Sequence, residues 1–464
     1  MSALWIWWLF PLGVGLGLGL WPRGTTRQKA RVAVVLNATL ALAAALLPID
    51  RVVPVLGYRV VLHLTPEMSI LGRTFLWLDG QRPWLVALFG AAALWALAAP
   101  GARLAPDVPA WTLILPAGVV GALAAQDLLL ALLILGLLGL AVIFLWVPPG
   151  RPTATRGPAR YLAIWVLGLP LVLLTLSLLT GLETATWDNP DVRRAMGLMA
   201  IALALWMGLF PFHPVYPLLG ESAHPARLLL GWHFLHVGLG LVLLRMPTVY
   251  LWIRETTAVY QGLRALAWVM IGVAGTLLPF QRHLGRAVGY AHMLTLGWSL
   301  LAWSLGSDLG PTAFWALYWP RTLWSVAWGW GLAVLALPHD QFDEATLTGQ
   351  GRDWLPGALL AIAGLLAVAP WPGLPWWPGV AYALHHTGTI AWYGLVALGF
   401  AWVGSALTGA RWARILLAPR GDNTAPPIRR WPDRAWAWLA LAAWLGFNGL
   451  AKPLFHWATN SWPF

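Results

Sequence analysis

The chain has 464 residues, of which 59% are hydrophobic and 10% charged, with a mean hydropathy of +0.69, whereas a soluble domain is about one quarter charged. So little charge implies a polytopic membrane protein, and at ~20 residues per spanning helix the length leaves no room for a sizeable extramembrane enzyme. Cysteine is absent, which excludes disulfides, thiolate metal sites and cysteine-bound haem or iron–sulfur clusters; the net charge of +12 gathers in a few loops and points to membrane topology before nucleic acid.

In chain order, the run Leu4–Leu20 is long enough to span and lacks the charged start and small-residue cleavage site of a signal peptide, so it reads as a retained first helix. Its Gly13, Gly15, Gly17 and Gly19 suit close helix packing. Further apolar runs lie near 32–48, 83–100, 109–126, 127–147, 159–182, 193–211, 224–245, 259–281, 284–305, 311–337, 355–371, 386–408 and 433–452, giving about fourteen predicted helices. Between the second and third, residues 50–82 alternate in polarity (Arg59-Val60-Val61-Leu62-His63-Leu64) and predict an extramembrane hairpin. The fourth and fifth runs adjoin at Gln126-Asp127, with Asp127 placed as an N-cap. Many of the 35 Trp, among them Trp5, Trp7, Trp8, Trp21, Trp376, Trp377, Trp431, Trp457 and Trp462, fall at predicted helix ends and fit an interfacial belt.

Alternate assignment of loops to the two membrane faces tests this count. Eighteen Lys and Arg fall in odd-numbered loops, including Arg23, Lys29, Arg282, Arg286, Arg411 and Arg430, against nine in even-numbered loops, from Arg51 to Arg264. The positive-inside rule then makes the odd loops cytoplasmic and puts both termini outside. The loop His339–Asp353 is acidic and dissents. The segment Pro419–Asp433 is a cytoplasmic linker suited to anionic lipid or a neighbouring subunit.

Two predicted helices run into proline clusters: helix 7 at Phe210-Pro211-Phe212-His213-Pro214 and helix 12 at Ala369-Pro370-Trp371-Pro372. Paired broken helices in corresponding halves mark inverted-repeat transporters; the alternative is simple loops at helix ends. Pro211-Phe212-His213, followed by Pro225, His233, His236 and Leu243-Leu244-Arg245, resembles a region of the antiporter-like membrane subunits of respiratory complex I and of Mrp-type cation/proton antiporters. Gln281 through Gly297 is similar to the family's next motif, and Arg321 through Gly329 lies like its Lys-Ala-x-Leu-Phe helix. The resemblance implies an all-α polytopic fold with two inverted repeats and broken helices 7 and 12. The domains would be 1–108 (helices 1–3 and hairpin), 109–245 (first repeat, helices 4–8), 246–410 (second repeat, helices 9–13) and 411–464 (linker and final helix).

It also implies a proton relay, and this sequence departs from it. The family's helix-7 Lys falls on Trp206, its helix-8 Lys near Val237, its helix-5 Glu finds no carboxylate in 128–147, and no Lys lies between Arg352 and Arg411. His233 and His236, at i and i+3 on one helix face, either relay protons near neutral pH or hydrogen-bond across helices as neutral groups. His213, at the first break, either satisfies freed backbone or lines a path. Arg321 cannot pass a proton on; it is a fixed positive plug, the partner of Asp308 or Asp127, or a snorkelling interfacial residue.

The resulting expectation is a membrane-arm subunit of a complex I-like energy-converting assembly, its own relay degenerate or lost. At most it is a non-catalytic subunit of a proton-translocating NADH:quinone oxidoreductase-like complex, multi-pass in a bacterial inner membrane. Its partners would be other membrane subunits and lipids, with no cofactor, metal or nucleic acid. The alternative is an autonomous solute transporter, a bicarbonate-uptake partner or a flippase component, on the same scaffold.

Overall fold

The computed structural model describes residues 2–55, 60–101, 107–147, 155–182, 184–335, 342–372, 374, 376–387 and 392–419. The predicted helix at 433–452, the linker beyond Pro419, Arg103 and Arg151 lie outside the described residues. Apolar runs dictate helices, because backbone groups in hydrocarbon must be satisfied within their own segment. Seven described helices are long and apolar enough to cross a membrane, and Trp5–Leu20, Val108–Ala124 and Leu355–Ala367 are shorter apolar helices. The protein is an all-α polytopic membrane protein. Its described residues form two compact units, 2–145 with 231–243, and 146–230 with 244–419.

In the first unit a π-helical turn, Trp5–Leu9, leads into α1 (Phe10–Leu20), followed by α2 (Thr26–Leu46), α3 (Arg82–Gly101), α4 (Val108–Ala124), α5 (Leu128–Ala141) and the short α6 (Ile143–Trp146). A reciprocal capping box starts α2: the Gln28 amide donates to Thr25 Oγ1 at 3.3 Å and the Thr25 amide to Gln28 Oε1 at 3.0 Å. That moves the start of this helix six residues ahead of the predicted one. On α1, a methyl group at Gly15 would stand 2.8 Å from Ile114 of α4, so this glycine is a packing contact, whereas Gly13 and Gly17 face open space. The segment between α2 and α3 forms two hairpins where one was expected. β1 (Val52–Val55) pairs with β2 (Val60–His63), and β3 (Glu67–Ile70) with β4 (Arg73–Leu76). Leu71 and Gly72 turn the second at φ of 51° and 75°, as two-residue hairpins demand. Asp127 caps α5 by accepting from the Leu129 amide at 2.9 Å. Trp7 and Trp8 belong to the core, contrary to the belt expected of them; the Trp7 indole donates to the Leu40 carbonyl at 3.0 Å.

The second unit holds α7 (Arg156–Leu179), α8 (Pro190–Trp206), α9 (Val215–Ser222), both ends of α10 (Pro225–Val249), the short α11 (Leu251–Glu255), and α12 (Thr257–Leu277). It continues through α13 (Leu284–Trp303), α14 (Gly306–Leu335), the short α15 (Glu344–Leu347) and α16 (Gln350–Asp353), α17 (Leu355–Ala367), α18 (Trp377–His386) and α19 (Trp392–Leu416). The prolines end helices where expected, since proline supplies no backbone donor. Predicted helix 7 breaks into α8 and α9, and predicted helix 12 into α17 and α18. The helix expected over 386–408 is described from Trp392, and His386 belongs to α18. Gly220 of α9 and Gly285 of α13 meet backbone to backbone, each leaving no room for a Cβ on the other.

Candidate functional site

The first break spans Met207–Pro214 and contains a cis Phe210–Pro211 bond. The carbonyls freed at the end of α8 are taken up locally: the Tyr216 hydroxyl donates to the Met207 carbonyl, and the Leu209 amide reaches the Ala204 carbonyl at 2.8 Å. His213 stacks on Phe210, with ring centroids 5.5 Å apart and planes 13° apart, and its carbonyl accepts from the Tyr216 amide at 3.1 Å. Trp206, at the position where the resemblance places a lysine, is 2% exposed. It lies flat on Trp165 of α7, centroids 4.9 Å apart and planes at 7°, and its indole donates to the Trp165 carbonyl at 3.0 Å. Gly168 makes the room, since a methyl there would stand 2.6 Å from the indole.

The second break lies between α17 and α18, and three indoles bond carbonyls at the α17 side of it. Trp298 of α13 donates to the Val368 carbonyl at 3.1 Å, Trp402 of α19 to the Pro370 carbonyl at 3.3 Å, and Trp371 to the Leu366 carbonyl at 2.9 Å. Arg264 of α12 ties the far end of the interrupted helix, donating to the Thr387 carbonyl at the C-terminus of α18 (3.0 Å) and to the Ser304 carbonyl at the C-terminus of α13 (3.3 Å). A cation is favoured there by both helix dipoles. Trp371 entered the sequence analysis only as part of the proline cluster and Arg264 only as a loop charge, and Trp298 and Trp402 not at all, because a tryptophan in a hydrophobic run looks like any other apolar residue.

His233 and His236 lie on α10 within the first unit, both partly buried, with the His233 ring edge-on to Phe234 at 5.1 Å. Val237, the other vacated lysine position, is buried. His213 and Arg321 belong to the second unit. Arg321 sits on α14 and donates through Nη1 to the Thr295 carbonyl (2.9 Å) and Ser299 Oγ (3.1 Å) of α13. Neither expected carboxylate partner serves it: Asp127 pairs with Arg73 at 3.1 Å and Asp308 with Arg254 at 3.5 Å. Both aspartates cap or start helices next to loop arginines, which explains the mismatch. Arg321 is the sixteenth of the thirty residues of α14. Among the described residues no three His, Cys, Asp or Glu side chains come together as a metal site requires.

Charged loops gather at one end of the second unit. Arg411 pairs with Glu344 at 2.6 Å and donates to the Pro279 carbonyl at 3.3 Å; Arg286 stands 3.8 Å from Glu221. His283 precedes α13 and forms a backbone bridge with Asp343. Burial pushes the His283 imidazole below its ordinary range. Asp343 caps α15, and the Thr346 amide it accepts at 2.9 Å holds its carboxyl below the usual range.

No protein-family profile and no curated protein sequence matches the chain. Solved structures do. A chain of the archaeal respiratory membrane complex termed membrane-bound sulfane sulfur reductase superposes with a TM-score of 0.82 at 14% identity, over 100% of this chain and 97% of that one. A chain of respiratory complex I from Thermus thermophilus gives 0.75 at 17% identity over 98% and 97%. One from the Mrp complex of Dietzia sp. DQ12-45-1b gives 0.74 at 16% over 99% and 97%. The chain has the fold of the antiporter-like membrane subunits. The superpositions cover 98–100% of this chain.

Proposed function

We propose that the chain is a membrane-arm, antiporter-like subunit of a complex I-like energy-converting assembly, and that its own proton relay is lost. The similar structures come from a respiratory membrane complex, respiratory complex I and an Mrp complex, which supports a place among other membrane subunits. The observation that carries the loss is the Trp206–Trp165 stack. A relay needs titratable groups or ordered water at short intervals, and a buried indole pair provides neither while filling the volume water would occupy. The indole-sealed carbonyls of the second break support the same reading, because unwound carbonyls otherwise serve as ion or water ligands. Arg321, fixed in charge, adds an electrostatic barrier to any cation path, and the residual candidates are His213, His233 and His236.

The test is to change His233 and His236 together to Leu in the intact assembly and to count protons pumped per turnover. The expected result is unchanged stoichiometry with the assembly intact. Loss of one or more protons per turnover, with assembly retained, means that the histidines carry a relay and overturns the proposal. Purification as a stable, partner-free monomer overturns the placement in an assembly and favours an autonomous transporter.

A further inference from the structure

Of the 20 residues of α13, 16 are buried, and the remaining four, Arg286, His292, Thr295 and Ser299, are all polar. A stripe turned to lipid would be apolar, because polar side chains in hydrocarbon are costly. The accessible positions of α13 are instead the polar ones. At 3.6 residues per turn, His292, Thr295 and Ser299 share one side of the helix, and Arg321 enters at the level of the last two.

The guanidinium is incompletely used there. Nη1 meets two neutral acceptors, while Nη2 is buried and has no hydrogen-bond partner. Among the described residues no carboxylate is paired with Arg321. Its place in the middle of α14 puts it about 21 Å from either helix end at ~1.5 Å per residue. A guanidinium stays charged, and a charge at that depth requires a counter-charge. One positive charge, one unused N–H edge and the neutral hydroxyl of Ser299, which itself donates to the Thr295 carbonyl at 3.3 Å, select a single negative charge of small size. A dianion would leave the site net negative, and the buried indoles of Trp298 and Trp324 nearby favour an ion that sheds water easily.

We propose that Arg321, with Ser299 beside it in the α13 lane, binds a small monovalent inorganic anion of the chloride class. The proposal goes beyond the loss of the relay and does not depend on it. The experiment is equilibrium dialysis of the full-length chain, within its assembly and separately, against radiolabelled chloride at constant ionic strength with gluconate as the replacing anion. Saturable binding of one chloride per chain is expected, displaced by bromide and nitrate but not by sulfate. Arg321→Gln should weaken it by at least about tenfold, the loss of a charge-assisted hydrogen bond. Should that variant fail to fold, Ser299→Ala decides, with several-fold weaker binding expected. Absence of saturable binding, binding unchanged in Arg321→Gln or Ser299→Ala, or chloride held by the separated chain but not within the assembly, where a neighbour's carboxylate would then take the place, each overturns the proposal.

Discussion

Trp206 shows how one side chain decides between chemistry and packing. Reading back five residues from Pro211 already placed a bulky indole where the resemblance calls for an ammonium. The stacking partner was not legible, because nothing in the periodicity of α7 distinguishes Trp165 from its neighbours. Removing a buried indole leaves a cavity, so Trp206→Ala should destabilise the protein by about 3–5 kcal/mol. Trp206→Phe, which keeps a ring and loses the donor to the Trp165 carbonyl, should cost about 0.5–1.5 kcal/mol. Thermal unfolding of the purified protein in detergent checks the order; an Ala variant as stable as the parent would show that the stack contributes nothing. Arg321 teaches the opposite lesson: its charge was legible, but its surroundings were not, since hydrogen bonds to a carbonyl and a hydroxyl leave no mark in sequence.

At the scale of elements, both breaks could be read from Pro211 and Pro370, because a missing backbone donor acts locally. What closes them comes from residues distant in sequence, such as Trp402 reaching Pro370, and lies beyond any local pattern. Trp376, assigned to the interfacial belt from its position, is buried in the core and packs 5.4 Å from Trp324. The short α15 carries a pH response. His283 is held below its ordinary pKa, so the folded state binds its proton less well than the unfolded chain does. Its contribution to stability is full above about pH 6.5 and is lost as pH falls. Asp343, also lowered, has the same sign, with its contribution lost only in more acidic solution, below about 3.9. The protection of the Phe342–Leu347 amides, as exchange corrected for its base-catalysed intrinsic rate, should therefore fall on going from pH 7.5 to about 5.5, and Asp343→Ala, which removes the cap, should lower it at both pH values. Protection that is unchanged or rises on acidification would contradict the assignment.

For the whole molecule, the loops test the topology independently of any charge count. Glu221 with Arg286, Glu344 with Arg411 and His283 with Asp343 join odd-numbered loops of the predicted scheme. Arg73 with Asp127, Arg254 with Asp308, and the Trp252 indole with the Leu182 carbonyl join even-numbered ones. Like parity throughout is what the predicted alternation of these loops requires. The acidic loop His339–Asp353, which dissented in charge, has a physical reason for Glu344, which pairs with Arg411 at 2.6 Å. With the basic loops cytoplasmic, a reporter fused after Phe464 should be active only on the outer face, and a periplasm-dependent phosphatase compared with a cytoplasm-dependent fluorescent fusion measures it. Activity of the cytoplasmic fusion alone would invert the orientation.

The glycine seam between α9 and α13 has a mechanical consequence. With Gly220 and Gly285 in backbone contact and Gly289 against the Tyr216 carbonyl, the two helices have no side-chain cushion on which to slide. α9 is the far half of the first broken helix, so a swivel at Met207–Pro214 cannot turn α9 alone. It must carry α13, and with α13 the indole of Trp298 that plugs the second break. The seam is a weld that makes the two interruptions of the second unit a single moving part.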